Sequence, residues 1–341
     1  GILGTSLSAI DAAIAVVAQH GVFHTENDKT THFTLHPGSE ALEITLLSRN
    51  GVLPEADFYC PIPWEPLEIA TPAALEAAVA QGSDGLLDRV FELVVQELEY
   101  AAPAWCEATG LRQLTPDSIA DAWFADRLTH DPFQWAQRNL QEVERNKREH
   151  HTVPWRYAIL RLHEAIESVV PELNDEDSRR FRRGLARVFI DNYAAIPPES
   201  IRRLLALHQA GILRIVALGE DYDLQRESHR TLIVHHQQRC EFDVFIDARG
   251  QQALKTRDLP FPSLRQQLLA CGDDIPDVGD DYTLQAPETL RGRVAFGALP
   301  WLMHDRPFVQ GLTASAEIGS AMARAVSQQA TGRRRRLWFI E

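Results

Sequence analysis

Gly4, Ser6 and Ala9 open this chain at the spacing of a dinucleotide-binding turn. Such a turn needs a glycine at its tightest point, a small residue where backbone meets pyrophosphate, and another where helix packs on strand. Residues 1–20 read G-I-L-G-T-S-L-S-A-I-D-A-A-I-A-V-V-A-Q-H, a strand end, a small-residue turn and an alanine-rich helix. The candidate phosphate cradle is therefore Gly4, Thr5, Ser6, Leu7, Ser8 and Ala9, with the helix amides around Leu7 and Ser8 aimed at the phosphates. Ser6 stands where a second glycine is usual, which narrows the backbone approach while offering a hydroxyl to a phosphate oxygen. An ordinary strand-to-helix turn of small residues is the competing reading. Asp11, on the helix, reads as a surface or capping acid.

Ser48 and Arg49 follow the next buried strand, Leu42-Glu43-Ile44-Thr45-Leu46-Leu47. An acid at that place binds a ribose 2′-hydroxyl, whereas an arginine suits the 2′-phosphate of NADP, which its planar fork meets in a bidentate way. Arg49 lies 45 residues beyond Gly4, against the usual twenty or so. A hairpin expected over 22–36 accounts for the excess. The alternative for Arg49 is a solvated strand-end charge.

Other chemistries are poorly served. His150-His151 and His235-His236 are adjacent pairs, and adjacent side chains diverge in both helix and strand. No Cys/His/Asp cluster completes a coordination sphere, so no metal is expected. There is no G-x-S-x-G elbow and no G-x-x-x-x-G-K-[ST] loop. Trp105, Trp123, Trp135 and Trp155 in the helical stretch read first as core packing and second as walls of a substrate pocket.

The elements that position these residues follow from pattern. After a proline-rich connector, Pro54 to Pro66, residues 71–210 are helical. Thr71-Pro72 and Thr115-Pro116 each place a capping threonine before a first-turn proline. Asn174 precedes three acids at another helix start, and Pro198 opens a helix that Gly211 closes. Beyond Gly211 the character is β: Ile212–Leu218, Thr231–His235, Phe242–Ile246 and Val294-Ala295-Phe296 read as strands. A final helix is expected over 314–329 with Thr313 as its N-cap.

The bulk numbers bound the function. The chain has 341 residues, 45% hydrophobic and 24% charged, with a formal net charge of −14. That charge argues against nonspecific binding to nucleic acid or an anionic membrane. No apolar run approaches the roughly 20 residues of a membrane span. Cys60, Cys106, Cys240 and Cys271 are scattered, which suits a reduced, cytoplasmic setting. Gly1 is not a methionine and only Ile2 and Leu3 precede the turn, whereas a strand usually takes about five residues. The expectation is that an upstream segment is missing.

The stretches G-I-L-G-T-S-L-S-A-I-D-A-A, L-L-S-R-N-G-V-L-P-E-A-D-F-Y (46–59), F-D-V-F-I-D-A-R-G-Q (242–251) and H-D-R-P-F-V-Q-G-L-T-A-S-A-E-I-G (304–319) resemble the bacterial FAD-NAD(P)-binding proteins, distant relatives of flavin-dependent N-hydroxylating monooxygenases. The resemblance implies an NADP unit inserted into an FAD domain whose N-terminal segment lies upstream. It implies that Asp247-Ala248-Arg249-Gly250 is the crossing loop that usually ends Ala-Thr-Gly, with Gly250 near cofactor and Arg249 in place of the threonine. It also implies that Gly311, Leu312 and Thr313 bring a helix N-terminus toward the flavin ring, with His304 and Asp305 as possible pocket residues beside them.

The expected fold is α/β: a Rossmann-like parallel sheet over 1–67, a largely helical insert over 68–210, and a β-rich return segment over 211–341 with a C-terminal helix. The expected function is an FAD- and NADPH-dependent oxidoreductase acting on a small-molecule substrate. A nicotinamide-only dehydrogenase or reductase and a non-catalytic nucleotide-binding protein are the alternatives.

Overall fold

The computed structural model describes residues 1–26, 30–250, 252–304, 306, 308–309 and 311–337, with backbone alone over 329–337. The chain divides into two compact units, Gly1–Gly250 and Gln251–Glu341.

The first unit is built on four parallel strands, β1 (Ile2–Leu3), β4 (Ile44–Ser48), β5 (Leu213–Ala217) and β9 (Ile246–Asp247), in the order β5-β4-β1-β9. β4 is a run of buried apolar residues with Thr45 among them, as expected of a parallel strand covered on both faces. Register decides which layer each side chain joins. Ile2 pairs with Leu46 and Leu3 with Leu47, and successive side chains point to opposite faces. Ile2 and Leu46 pack with Ala9, Ile10, Ala13 and Val17 of helix α1 (Leu7–Val17). Leu3 and Leu47 pack instead with Ile233 and Phe242. Those two belong to the antiparallel meander β6 (Tyr222–Arg226), β7 (Thr231–His235) and β8 (Gln238–Phe242).

Between α1 and β4 runs the expected hairpin, β2 (Gly21–Glu26) and β3 (Thr30–Leu35). Gly21 starts β2. A Cβ there would meet Thr34 O and the Phe33 ring at 2.4 Å, so glycine is required by close strand packing.

The helical insert runs through α2 (Pro72–Val79), α3 (Leu86–Ala101), α4 (Pro103–Thr109), α5 (Ile119–Leu128), α6 (Pro132–Glu149), α7 (Pro154–Glu167), α8 (Asp175–Arg183), α9 (Leu185–Tyr193) and α10 (Pro198–Gln209). Thr71 caps α2 by accepting from Ala74 N, and Asn174 caps α8 by accepting from Asp177 N. Thr115 does not cap. α5 begins at Ile119, and the Thr115–Ser118 turn is closed by Thr115 N donating to Ser118 Oγ at 2.9 Å. The Pro116 carbonyl is pressed so close to Gly184, at the α8–α9 junction, that any side chain there would collide with it. The buried carboxylate of Glu97 accepts from the amides of Glu68, Ile69 and Ala70, fastening the connector to α3. Gly211 closes α10 as expected, at φ +74°, with Ile212 N donating to Leu207 O.

The β character expected after Gly211 is present, and its strands lie between residues 213 and 247. Three features differ from expectation. Phe242–Ile246 is not one strand: β8 ends at Phe242, residues 243–245 turn, and β9 pairs with β1 in the other sheet. Only an isolated bridge, Thr283 to Ala295, stands where a strand was expected at 294–296. The segment expected to begin at 211 as a separate region is shared between the units, 211–250 belonging to the first. The second unit contains α11 (Pro262–Ala270), α12 (Leu299–Leu302) and α13 (Gly311–Leu337). Leu259, Leu268, Leu284 and Phe296 form one core cluster, and Leu302, Val309 and the α13 residue Ile318 form another. No helix among the described residues is long and apolar enough to cross a membrane.

Candidate functional site

Numbered along the chain, the parallel strands run 3-2-1-4, so the chain reverses direction between β1 and β9. In open α/β sheets the crevice outside the carboxyl ends of the strands, at such a reversal, is where ligands bind. A cavity of about 330 Å³ lies there, lined among others by Gly4, Ser48, Arg49, Gly219, Glu220 and Arg249.

Gly4 is positioned by its amide, which donates to Leu47 O at 2.6 Å. Its φ is +135°, and a Cβ would stand 3.0 Å from Ala248 O and 3.1 Å from the Ala9 methyl. Thr5 Oγ1 donates to Ser48 Oγ at 3.0 Å, and Gly51 N donates to the same hydroxyl at 3.1 Å. Ser48 thus ties the turn after β1 to the turn after β4. Ser6 is the N-cap of α1 by backbone only and makes no side-chain cap. Ser6, Leu7 and Ser8 are exposed residues, and the first amides of a helix have no acceptor within it. Ala9 is buried and lets the helix approach the sheet.

Arg49 follows β4 and pairs with Glu220 at 3.1 Å, both side chains largely exposed. Arg249 is held by Asp247 at 2.7 Å. A second cavity, of about 240 Å³, reaches Thr5 and Ser6 and is lined by Asn50, Arg187 and Asp191. Among the described residues Arg187 has one ion pair, a long 4.0 Å contact to exposed Asp121. Burial first, and then the positive charge of Arg49, holds its guanidinium below the ordinary value. Arg49 thus lines one cavity with Gly4, and Arg187 another with Thr5 and Ser6.

The structure brings together Gly4, Thr5, Ser6, Leu7, Ser8, Ala9, Ser48 and Arg49 at one edge of one sheet. Gly250 follows at the end of the same unit with open space around it. Gly311, Leu312, Thr313 and His304 belong to the second unit. Thr313 is not an N-cap, because α13 starts at Gly311, whose φ of +84° makes the turn. His304 Nε2 is engaged with Leu254 O at 2.9 Å. Asp305 lies outside the described residues. Sequence reading missed Arg187 and Glu220, which carry no motif and reach the crevice only through tertiary packing.

The tryptophans were expected first as core. They are half-buried instead and line one cavity of about 410 Å³ in the helical insert. Trp105 stacks on Trp155 with centroids 4.8 Å apart, and Trp123 meets Trp155 edge-on at 5.5 Å. Two buried ion pairs border them, Glu55–Arg156 and Arg127–Asp191.

Residues 71–193 match a family model described as the YdhS-like middle domain. That stretch holds all four of these tryptophans. Over 339 residues the chain is 63% identical to the protein named "Uncharacterized protein YdhS" of Escherichia coli (strain K12). The match covers 99% of this chain and 64% of that protein, so the chain spans just under two thirds of its relative's length. Neither name carries a cofactor or a reaction.

Proposed function

We propose that this chain carries the NADP(H) site of an FAD- and NADPH-dependent oxidoreductase, with the coenzyme lying across the carboxyl edge of the parallel sheet. The observation that carries the reading is the strand order β5-β4-β1-β9, which puts a crevice where the chain reverses. The close approach at Gly4 supports it, since a side chain there would push the loop of Ala248 away from the turn. The first amides of α1 and Arg187 would hold the pyrophosphate, and Arg49 would hold the 2′-phosphate. The bound nicotinamide supplies a hydride; the chain's residues hold and orient it.

FAD and a small-molecule acceptor or oxygen enter through the resemblance at 242–251 and 304–319, which carries Gly250, Gly311, Leu312 and His304 with it. The four cysteines are free, which suits the reducing cytoplasm. Glu220 beside Arg49 favours a second reading, a nicotinamide-only enzyme using NADH, because a carboxylate at this edge suits ribose hydroxyls.

Calorimetric titration with NADPH, NADH and FAD tests the proposal. NADPH binding tighter than NADH, with the preference erased by Arg49→Ala, supports it. Absence of any nicotinamide binding to the folded chain refutes it. NADH preferred over NADPH, with Glu220→Ala removing that preference, establishes the second reading instead.

A further inference from the structure

The tryptophan-lined cavity of the helical insert is a different feature from the dinucleotide crevice, and its size is the first argument. Protein interiors leave few voids larger than a water molecule, whereas small-molecule sites run from roughly 300 to 1,000 Å³. At about 410 Å³ this one falls in the second class. Its walls are fixed. Trp123 Nε1 donates to Asp191 Oδ2 at 2.7 Å and Trp135 Nε1 to Glu55 Oε1 at 2.9 Å, which locks two indoles by their polar ends. Trp105 and Trp155 lock each other, their planes 10° apart. Side chains held this way present flat apolar faces without an ordering cost on binding.

The polar lining narrows the occupant. Arg156 is 8% exposed and lies in the cavity wall, with its guanidinium over the Trp155 ring at 4.7 Å. Glu55 is its one carboxylate partner, and among the described residues nothing else accepts from it. A guanidinium has five N–H donors, so donors remain for an oxygen within the cavity. Its charge is already balanced by Glu55, and that of Arg127 by Asp191. Glu142, also in the lining, has no ion pair or hydrogen bond among the described residues. An anionic guest would gain no uncompensated cation and would meet a free carboxylate. We infer that this cavity binds an uncharged planar aromatic molecule carrying a hydroxyl or carbonyl oxygen, stacked among Trp105, Trp123 and Trp155 and accepting from Arg156. Asp191, the partner of Arg127 in this cavity's wall, itself lines the smaller cavity that reaches Thr5 and Ser6. The inference stands on the tryptophan cavity alone and holds with or without a nicotinamide coenzyme.

The test is titration of the whole chain with 2-naphthol, followed by tryptophan fluorescence and calorimetry. Naphthalene-2-sulfonate and a trimethylammonium naphthalene serve as charged comparators. The expected result is one saturable site that quenches the emission and prefers 2-naphthol to the sulfonate at least fivefold. Trp105→Ala should weaken it tenfold or more. Ala122→Trp fills the rim from an exposed position on α5, and should abolish binding while circular dichroism stays native. The inference is overturned by no saturable quenching in the native chain, by preference for either charged comparator, or by wild-type binding in folded Ala122→Trp. The comparison among the three probes needs no variant, so a misfolded variant does not remove the test.

Discussion

The carbonyl oxygen of Ala248 occupies the space a side chain on Gly4 would need, 3.0 Å from where its Cβ would stand. The contact joins residues far apart in sequence. It exists because β1 and β9 are neighbours in the sheet, with Leu3 level with Asp247. The turn after β1 and the loop after β9 thus close on each other at the point where the chain reverses.

Gly4→Ala tests that contact. The positive φ and the crowding should cost about 1–3 kcal/mol, which in a protein of this size lowers the melting temperature by about 1–2 °C per kcal/mol. NADPH affinity should fall at least tenfold alongside, as read by calorimetry. A melting curve and isotherm unchanged from wild type would mean that the close approach has no role.

Arg49 and Arg187 should separate by coenzyme. Arg187 lines the cavity at Thr5 and Ser6, where the pyrophosphate is common to both coenzymes, so Arg187→Ala should weaken NADPH and NADH alike. Arg49→Ala should weaken NADPH alone. A charge-assisted hydrogen bond is worth about 1.5–3 kcal/mol, or roughly ten- to a hundredfold in affinity. Glu220→Gln frees Arg49 and should raise NADPH affinity several-fold while leaving the melting temperature nearly unchanged, because an exposed pair contributes little.

Asp191 neutralises Arg127, which is 5% exposed and also donates to Leu53 O. Asp191→Asn leaves that guanidinium buried without its counter-charge and should cost about 3–5 kcal/mol in urea denaturation. The double variant Asp191→Leu with Arg127→Met should recover most of the loss. If the single variant is as stable as wild type, the pair is not a structural element of this wall.

Acid stability should fall in two steps. Burial, partly countered by the Leu160 carbonyl, holds the His163 imidazole below its ordinary 6.5. The unfolded chain therefore binds this proton first, and stability intact above pH 6.5 declines as pH drops from there toward the folded value. Burial alone would raise the Glu55 carboxyl. The charges of Arg156 and Arg127, with hydrogen bonds from Arg156 and Trp135, outweigh burial and hold it below 4.5. Its contribution is complete above pH 4.5 and is lost as pH falls through the folded value. Denaturation between pH 7.5 and 3.5 should show the upper step vanish in His163→Phe. Glu55→Gln should flatten the lower step and cost about 3 kcal/mol at pH 7.

Much of the fold was legible locally, because local rules act within a few residues. Thr71 before Pro72 and Asn174 before three acids mark helix starts by capping, and Gly211 marks an end by its positive φ. The Gly4–Ala9 turn and Arg49 after β4 were legible for the same reason. Thr115 was misread because Pro116 is pressed against Gly184, a contact between distant segments that no local pattern carries. The break between β8 and β9 was hidden similarly: residues 238–247 are continuous in sequence but pair in two different sheets.

By itself, then, the amino-acid sequence determined the α/β class, the glycine turn, the helix caps and the buried β4, since each depends on side-chain type at short spacing. Only the tertiary structure decided the 3-2-1-4 strand order, the placing of Arg49 and Arg187 in the cavities that reach the opening turn, and the gathering of four tryptophans from α4, α5, α6 and α7 around one cavity. The physical reason is that a tryptophan on an amphipathic helix looks the same in sequence whether it faces a filled core or a space. That depends on how closely the neighbouring helices approach, and here Glu55, Arg156 and Arg127, each in a buried ion pair, stand in the wall beside the indoles.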